Sequence, residues 1–356
     1  IVLFNRNLGE NVLEEYRDEI YGISLSCTHK YDFIGTPYER QLNYHSAHDL
    51  GHAMQDYMLV GCSSFATWGT QSADSSLLIG RNFDFYVGDA FAENKQVAFY
   101  VPEQGYRFAS VGWPGMIGVL SGMNETGLTV TINAAKSAVP TGSATPISIL
   151  TREILQYAAT IDEAFAIAQK RETFVSESIL IGSAKDGKAA IIEKSPEKTV
   201  LFTGKEANRL ICTNHYQSEE FSKDERNMEN IRTSDSPYRF ARLTELINED
   251  LPIDVSKAAS ILRDHKGLQN TDLGLANEMA INQFIAHHSV IFQPEKQLMW
   301  VSTSPWQCGK YVAYDLNKIF KDTIDWQHEI YSSALTIPED KFIDAPEFQH
   351  LLTYKK

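Results

Sequence analysis

A cysteine behind a glycine, well inside the chain, is the first feature of this sequence that could do chemistry. Gly61 precedes Cys62 in the stretch Leu-Val-Gly-Cys-Ser-Ser-Phe at 59–65. Because glycine has no Cβ, the peptide bond before the cysteine can adopt strained geometry and can be approached closely. A thiol that attacked its own preceding carbonyl would form an ester-like intermediate, and water would then release a chain beginning at Cys62. A buried, inert thiol is the alternative.

Cleavage before Cys62 would leave a free α-amine beside the thiol. Such an amine has an ordinary pKa of about 7.7–8.0, so it can take the thiol proton near neutral pH without a histidine base. Nearby, Gly-Arg-Asn-Phe-Asp-Phe at 80–85 contains Arg81 and Asp84. Asp84 could accept hydrogen bonds from the new ammonium, and Arg81 would favour the thiolate. Strand alternation would separate the two side chains, so we predict a bulge or a strand end between them; a surface ion pair is the alternative.

Histidines suggest a second kind of chemistry. His45, His48 and His52 are spaced by three and four residues, which places them on one helical face and could arrange imidazoles around zinc. However, no glutamate stands where an H-E-x-x-H motif needs its base, and no fourth ligand is identifiable. We therefore favour a polar, packed helix surface. The pair His287 and His288, before a predicted strand, is interpreted as structural.

Nucleotide-binding and serine-hydrolase motifs are absent from the sequence. The stretch Gly-Ser-Ala-Lys-Asp-Gly-Lys-Ala at 182–189 approaches a phosphate-binding loop, but Ala189 replaces the required Ser or Thr. Asp186-Gly187 is instead typical of a hairpin turn. Neither G-x-S-x-G nor G-x-G-x-x-G occurs.

Composition excludes several other classes. The chain has 356 residues, 43% of them hydrophobic, and a net charge of -14. The acidic balance argues against a nucleic-acid binder, and no apolar run is long enough for a membrane-spanning helix. The sequence leaves open a homo-oligomer and a signal peptide before Ile1, with a periplasmic or secreted location slightly favoured. A reduced, mostly buried set of thiols is expected, because the four cysteines are scattered: Cys27, Cys62, Cys212 and Cys308.

The elements that must position these residues follow an alternating pattern of strands and helices. Helices are predicted at 11–20 and 46–58, after Thr145-Pro146, at a capping box of Thr160 and Glu163, after Ser236-Pro237 and after Asp254. Strands are predicted at 62–67, 77–85, 96–101, 107–112, 116–121, 127–133, 178–183, 188–194, 198–203, 208–213, 287–293, 297–302 and 311–315. This order predicts an α+β fold with layered sheets and helices.

Five motifs in order resemble a known family. They are GCSSF, GRNFDF, GMNETGLTVTINA, CTNHY and DSPYRFARL, within about Val60 to Asp315. The set is similar to the choloylglycine hydrolase and acyl-CoA:6-aminopenicillanic acid acyltransferase group of cysteine N-terminal nucleophile (Ntn) hydrolases. TNHY and SPYRFARL resemble the acyltransferase branch more closely. The resemblance implies a four-layered αββα sandwich, preceded by a prosegment that remains after self-cleavage.

The resemblance also implies roles for individual residues at the nucleophile. Cys62 matches the family's nucleophile, released by cleavage of the Gly61–Cys62 bond. Arg81 and Asp84 match the pair that orients it.

Three further residues are implied at the oxyanion site. Asn133 matches a residue that helps to form the oxyanion hole, and Asn214 matches the side-chain amide that donates to the oxyanion. Arg239 matches the arginine that completes the polar network. Without the resemblance to the family, each asparagine would be interpreted as a turn or strand-end residue.

These inferences predict a self-processing cysteine amidohydrolase or acyltransferase acting on a linear carbon–nitrogen amide. Its parts are a prosegment at 1–61, a catalytic domain at 62–320 and an acidic C-terminal tail at 321–356 that packs on this domain. No metal or organic cofactor is required, and the partner is a small-molecule amide or acyl donor. Loops around 86–96, 113–116 and 138–144 are aromatic or small, which is compatible with an apolar acyl pocket. The alternatives are a metal-dependent hydrolase using the three histidines and an uncleaved, non-catalytic binding protein.

Overall fold

The computed structural model of the protein describes residues 7–47, 49, 51, 61–137, 143–321, 324–326 and 330–355. The α-helices described, α1 to α10 along the chain, are Glu14–Ser24, Pro37–Tyr44, Asp89–Glu93, Ile147–Tyr157, Ile161–Lys170, Glu225–Thr233, Ser236–Asp250, Val255–Leu262, Leu316–Ile319 and Pro346–Lys355. The strands described, β1 to β14, are Ser63–Thr67, Leu78–Phe83, Gln96–Tyr100, Phe108–Gly112, Ser121–Asn124, Leu128–Ala134, Glu177–Ser183, Lys188–Lys194, Thr199–Phe202, Arg209–Cys212, His288–Gln293, Leu298–Ser302, Tyr311–Asp315 and Ser332–Ile337.

Two antiparallel sheets form the centre of the fold. The first sheet has the strand order β10-β1-β2-β11-β12-β13-β14. The second sheet runs from β3 to β9 in chain order, so it is a meander. The helices α4 and α5 lie in the connection from β6 to β7, and α7 and α8 lie between β10 and β11. Each helix pair therefore connects two strands of the same sheet.

Apolar contacts show that these elements form four layers. Between the sheets, side chains of both inner faces are buried together: Ala66, Ile79, Val290, Phe292, Val111, Met123, Leu180 and Ile191. The helices α4 and α5 cover the outer face of the second sheet through Leu150, Ile154, Ala164, Val130, Ile132 and Ile181. The helices α7 and α8 cover the outer face of the first sheet through Leu243, Ile247, Leu262, Phe65 and Ile291. The predicted αββα sandwich is confirmed.

The predicted strand at 116–121 is wrong. This segment has no strand until Ser121, where β5 begins. The segment packs against α4 instead, since the Val119 amide donates to the Ser148 carbonyl at 2.8 Å. Gly118 lies so close to α4 that a Cβ there would be 2.5 Å from the Ser148 hydroxyl oxygen. The hairpin predicted for 123–128 therefore joins β5 to β6.

Several short elements were not predicted, and one predicted helix cannot be compared. The helix α2 begins at Pro37 behind a capping box in which Thr36 and Glu39 satisfy each other's backbone amides. The helices α6 and α10 and the strand β14 were also missed. Most of the helix predicted at 46–58 lies outside the described residues.

The N-terminal part of the chain supplies a cap to the second helical layer. The helix α4 begins after Thr145-Pro146, as predicted, but Pro146 is its N-cap residue and makes no side-chain capping hydrogen bond. The Asp49 carboxylate instead accepts from the Ile147 amide at 2.9 Å. In addition, Arg152 of α4 pairs with Glu19 of α1 at 3.0 Å. Residues on both sides of position 61 therefore share one packed structure, and the proposed division at 61/62 and 320/321 stays a prediction.

No helix in the described part of the chain is both long and apolar enough to cross a membrane.

Candidate active site

The Cys62 thiol lies at one end of the first sheet, immediately before β1. It is buried. Because β1 and β2 are antiparallel with Ser64 opposite Arg81, the guanidinium comes close to the thiol. The distance from Arg81 Nη2 to Cys62 Sγ is 3.7 Å. Arg81 also donates to the Ile132 carbonyl of β6, in the second sheet. The thiol and a buried cation are thus held at the junction of the two sheets.

The thiol is protonated in the uncleaved chain at neutral pH. Burial raises the pKa of Cys62 to about 11, and the guanidinium of Arg81 only partly opposes this shift. A buried thiol without a nearby base is a poor nucleophile. Activation therefore requires a group that takes the proton.

Asp84 lies beside the Gly61–Cys62 bond. The strand β2 ends at Phe83, as predicted, so Asp84 lies beyond the strand end and its side chain is not bound to the alternation of strand faces. Its backbone carbonyl accepts from the Gly61 amide at 2.9 Å. The side chain is fully buried, and neither carboxyl oxygen has a hydrogen-bond partner among the described residues. Burial raises its pKa to about 8, against the pull of the positive charges on Arg239 and Arg81.

Asn133 projects from β6 towards β1 and β10. Its Oδ1 accepts from the Ser64 hydroxyl at 2.8 Å, and its Nδ2 donates to the Cys212 carbonyl at 2.8 Å. The residue is fully buried. Since an amide nitrogen carries two hydrogens, one N–H remains after this bond.

Arg239 of α7 joins Asn214 to the cysteine. Arg239 Nη1 donates to the Cys62 carbonyl at 2.7 Å and to the Ser63 hydroxyl at 3.1 Å. Its Nη2 donates to Asn214 Oδ1 at 2.8 Å, which fixes the amide orientation. Asn214 Nδ2 then donates to the Ala134 carbonyl at 3.0 Å. The structure thus brings all six residues singled out from the sequence into one region.

Further groups, which no sequence motif singled out as functional, complete this region. Arg81 Nη1 donates to the Ser121 hydroxyl at 2.7 Å and lies 3.2 Å from His288 Nε2. His288, which we had interpreted as purely structural, therefore helps to hold the guanidinium. Gln283 Nε2 donates to the Gly61 carbonyl at 3.2 Å. The histidine pair was visible in the sequence, whereas Gln283 lies in a connection without any motif.

His287 packs in an aromatic cluster with Phe91 and Trp113. Its Nδ1 lies 2.8 Å from Nδ1 of His288, and its buried Nε2 has no hydrogen-bond partner among the described residues. Ring centroids of Phe91 and Trp113 are 4.6 and 5.5 Å from the His287 ring. Burial lowers the pKa of His287 to about 3, so the ring is neutral. Cys62 belongs to the same apolar cluster as these aromatic side chains.

The zinc site suggested by His45, His48 and His52 is not seen in the part of the chain that the structure describes. His45 Nδ1 lies 2.8 Å from the Gln41 carbonyl, and its Nε2 accepts from the Ile117 amide at 3.0 Å. Both ring nitrogens are therefore engaged by backbone groups. His48 and His52 lie outside the described residues. Among the residues described, no group of three or more His, Cys, Asp or Glu could hold a metal ion.

The four-layered αββα sandwich is the Ntn-hydrolase fold that the resemblance implied, and the polar site lies at the ends of β1, β2 and β10. Residues 70–303 match the family described as acyl-coenzyme A:6-aminopenicillanic acid acyl-transferase, and the chain belongs to this family. This confirms the resemblance found in the sequence. The matched region begins after Cys62, so it does not itself include the cysteine.

Two proteins are related over much of the chain. An uncharacterized protein of Archaeoglobus fulgidus is 24% identical over 336 residues, which cover 84% of this chain and 55% of that protein. Protein dcd1B of Dictyostelium discoideum is 23% identical over 192 residues, which cover 53% of this chain and 36% of that protein. The chain thus spans about half and about a third of the lengths of these relatives.

Solved structures give weaker similarities. The N-acylethanolamine-hydrolyzing acid amidase ortholog of Caenorhabditis elegans has a TM-score of 0.48 and 16% identity, covering 66% of this chain and 93% of that chain. Penicillin V acylase of Agrobacterium tumefaciens has a TM-score of 0.49 and 16% identity, covering 72% and 87%. A variant of the conjugated bile acid hydrolase of Clostridium perfringens has a TM-score of 0.47 and 14% identity, covering 72% and 93%.

The buried Asp84 carboxyl predicts a pH-dependent stability of the uncleaved chain. Its pKa in the folded chain, about 8, lies above the ordinary value of 3.8. Between these values the unfolded chain binds fewer protons, so the free energy of unfolding falls as pH rises from about 4 to about 8. We expect Cys62→Ala, which lacks the thiol, to melt several degrees higher at pH 5 than at pH 8.

The control for this effect is the double variant Cys62→Ala/Asp84→Asn, compared by thermal melts at the same two pH values. Other buried carboxyl groups contribute to both variants, so the difference between them isolates Asp84. A smaller pH dependence is expected in the double variant. Equal pH dependence in both variants would mean that Asp84 does not titrate with a raised pKa.

Proposed function

We propose that the protein is a self-processing cysteine Ntn enzyme that cleaves a linear amide through an acyl-Cys62 intermediate. The observation that carries this proposal is the carboxyl group of Asp84. It is fully buried without a hydrogen-bond partner among the described residues, and the backbone carbonyl of Asp84 accepts from the Gly61 amide at 2.9 Å. A buried polar group of this kind needs an explanation. Cleavage would supply one, because it creates a cationic α-amine at Cys62.

The processing step exchanges one bond for another. Cys62 Sγ attacks the Gly61 carbonyl carbon, the carbon–nitrogen bond breaks, and the thiol proton passes to the released nitrogen. Water then hydrolyses the thioester and leaves a Gly61 carboxylate, a free thiol and a free α-amine. The amine is an intrinsic base of suitable strength for the thiol next to it. Asp84 is proposed to orient the ammonium, and Arg81 to favour the thiolate.

Turnover repeats this chemistry on a substrate. The thiolate attacks the substrate carbonyl, and the oxyanion is held by the remaining N–H groups of Asn214 and Asn133. The α-amine of Cys62 delivers its proton to the leaving amine, which departs and leaves a thioester. Water, or another amine, then takes the acyl group and regenerates the thiol. Arg239 supports this geometry, since it holds both the Cys62 carbonyl and the Asn214 amide.

The aromatic cluster of Phe91 and Trp113 supports an apolar acyl group. Phe91 and Trp113, with ring centroids 4.7 Å apart, belong to two of the loops predicted to face the substrate. Phe85 packs on Phe91 at 6.3 Å and belongs to the same apolar cluster as Cys62. Part of the third loop, at 138–144, lies outside the described residues. We infer that the acyl part of the amide, rather than its amine, packs against this aromatic cluster.

Self-cleavage is the first prediction of this mechanism. Purified wild-type protein should contain a light fragment that ends at Gly61 and a heavy fragment that starts at Cys62, because the cysteine cuts its own preceding bond. Cys62→Ala should remain whole. Intact-mass measurement before and after iodoacetamide treatment reports the cut and the reactive thiol together.

Edman sequencing identifies the new N-terminus directly. An active wild-type preparation in which no chain starts at Cys62 would refute the mechanism. Activity that survives thiol alkylation but is lost to a chelator would favour a metal-dependent hydrolase instead.

Asn214 is predicted to act in the transition state. An amide donor aimed at a developing oxyanion stabilises the transition state more than the ground-state carbonyl, and losing one such donor costs about 2.7–4 kcal/mol. Asn214→Ala should therefore lower kcat by about 10²–10³ with little change in KM. Steady-state kinetics are measured on cleaved protein only, after the fragment pattern and the melting temperature have been checked.

A purely structural role would give a different pattern. Losing one ordinary hydrogen bond costs about 0.5–1.5 kcal/mol of stability. A cleaved Asn214→Ala enzyme that melts earlier but turns over at nearly the wild-type rate would remove Asn214 from the catalytic site.

The aromatic cluster is predicted to determine which acyl group the enzyme prefers. Trp113→Ala removes a large apolar wall, so the kcat/KM ratio of a phenylacetyl over an acetyl p-nitroanilide should fall about 10-fold or more. Trp326→Ala is the control, because Trp326 is half exposed and packs on Phe99 instead. An unchanged ratio in cleaved Trp113→Ala protein would place the acyl group elsewhere.

A further inference from the structure

Hydrogen bonds hold the backbone on both sides of the Gly61–Cys62 peptide bond. The Gly61 amide donates to the Asp84 carbonyl at 2.9 Å. The Gly61 carbonyl accepts from Gln283 Nε2 at 3.2 Å. The next carbonyl, that of Cys62, accepts from Arg239 at 2.7 Å. The segment at the proposed cleavage site is therefore fixed by three separate elements of the fold.

The side chain of Gln283 packs closely against Gly61. The side chain is 3% exposed. A Cβ at position 61 would lie 2.5 Å from Gln283 Nε2 and 2.9 Å from its Oε1. Real Cβ atoms do not approach other atoms this closely, so any other residue at 61 would displace the glutamine amide. This contact gives a physical reason for glycine before Cys62, separate from backbone strain.

We propose that Gln283 is a catalytic residue of self-cleavage, where it stabilises the oxyanion that forms on the Gly61 carbonyl. The inference rests on the proposed function and adds a group to its processing step. When Cys62 Sγ bonds to the Gly61 carbonyl carbon, the carbonyl electron pair moves to the oxygen that already accepts from Gln283. The same N–H then faces a full negative charge, and charge-assisted hydrogen bonds are about twice as strong as neutral ones.

No other side-chain donor among the described residues bonds to this oxygen. The described bonds of Asn214 and Asn133 go to the carbonyls of Ala134 and Cys212 instead. After cleavage the Gly61 carbonyl becomes the terminal carboxylate of a separate fragment, whereas the turnover oxyanion forms on a substrate. The chain therefore assigns self-cleavage and turnover to different donors: Gln283 serves the first, and the two asparagines serve the second.

The test separates these two reactions in the full-length chain at pH 8. Gln283→Met keeps the length of the side chain and removes its N–H donor. Freshly purified protein is incubated and sampled over time, and intact mass gives the rate constant of cleavage at Gly61–Cys62. We expect a fall of about 10²–10³, as for the loss of one oxyanion donor. Gln307→Met is the matched control, because Gln307 is a buried glutamine that makes no described contact with Gly61.

The second readout is the mature thiol. In the cleaved fraction of each variant, the rate at which iodoacetamide alkylates Cys62 is measured by peptide mass. It should stay within about threefold of wild type, because the donor that is lost serves only the processing step. Gln283→Glu provides a second variant if Gln283→Met fails to fold, since an ionised carboxylate also lacks the N–H and repels the oxyanion.

Each possible result either supports or overturns the role proposed for Gln283. Slow cleavage with normal alkylation supports the inference. Cleavage of a folded Gln283 variant at the wild-type rate overturns it, and so does a parallel loss of cleavage and of Cys62 reactivity. A wild-type chain that never cleaves at Gly61–Cys62 refutes the proposed function itself, which distinguishes the two failures.

Discussion

Antiparallel register at one end of the first sheet is the constraint on which the site depends. The antiparallel pairing of β1 with β10 sets Ser64 opposite Cys212. Continued by two residues past the paired strands, this register places Asn214 opposite Cys62. On the other side, the pairing of β1 with β2 sets Ser64 opposite Arg81. A slip of one residue would turn each side chain to the other face of its strand. Arg81 would then face the α8 layer, away from the second sheet.

Two buried guanidinium groups dominate the electrostatics of this junction. Arg81 and Arg239 are almost wholly buried, and their described hydrogen bonds go to neutral groups. Buried cations are costly without anionic partners. The acidic groups nearby, Cys62 and Asp84, have pKa values raised by burial, so in the uncleaved chain the thiol is neutral and the carboxyl is largely so at neutral pH. The two guanidinium groups therefore oppose, but do not outweigh, the cost that burial imposes on a negative charge at this junction.

The sequence predicted those features of the structure that depend on local residue patterns. Alternating apolar runs located most strands, and the family motifs singled out Cys62 and the residues now seen around it. Contacts between distant segments were not predictable in this way. Asp49 caps α4 from about a hundred positions away, and Gln283 reaches Gly61 from a connection with no periodicity. His288 looked structural because only the pairing of β2 with β11 brings it near Arg81. Such contacts depend on tertiary packing, which propensity does not encode.

The same long-range contacts determine what a cut at Gly61 would do to the N-terminal part. Hydrolysis of one peptide bond removes none of the contacts between α1 and α4. Tyr16 and Ile20 of α1 are buried with Ile149 in one apolar cluster, and Glu19 pairs with Arg152. Burying a large apolar side chain contributes about 1.5–3 kcal/mol, so a few such residues hold a short fragment well. Since the Asp49 carboxylate also caps α4, dissociation would expose an unpaired helix amide. An N-terminal fragment released by the proposed cut would thus stay a structural part of the protein, and the cut would free Cys62 without dismantling the fold.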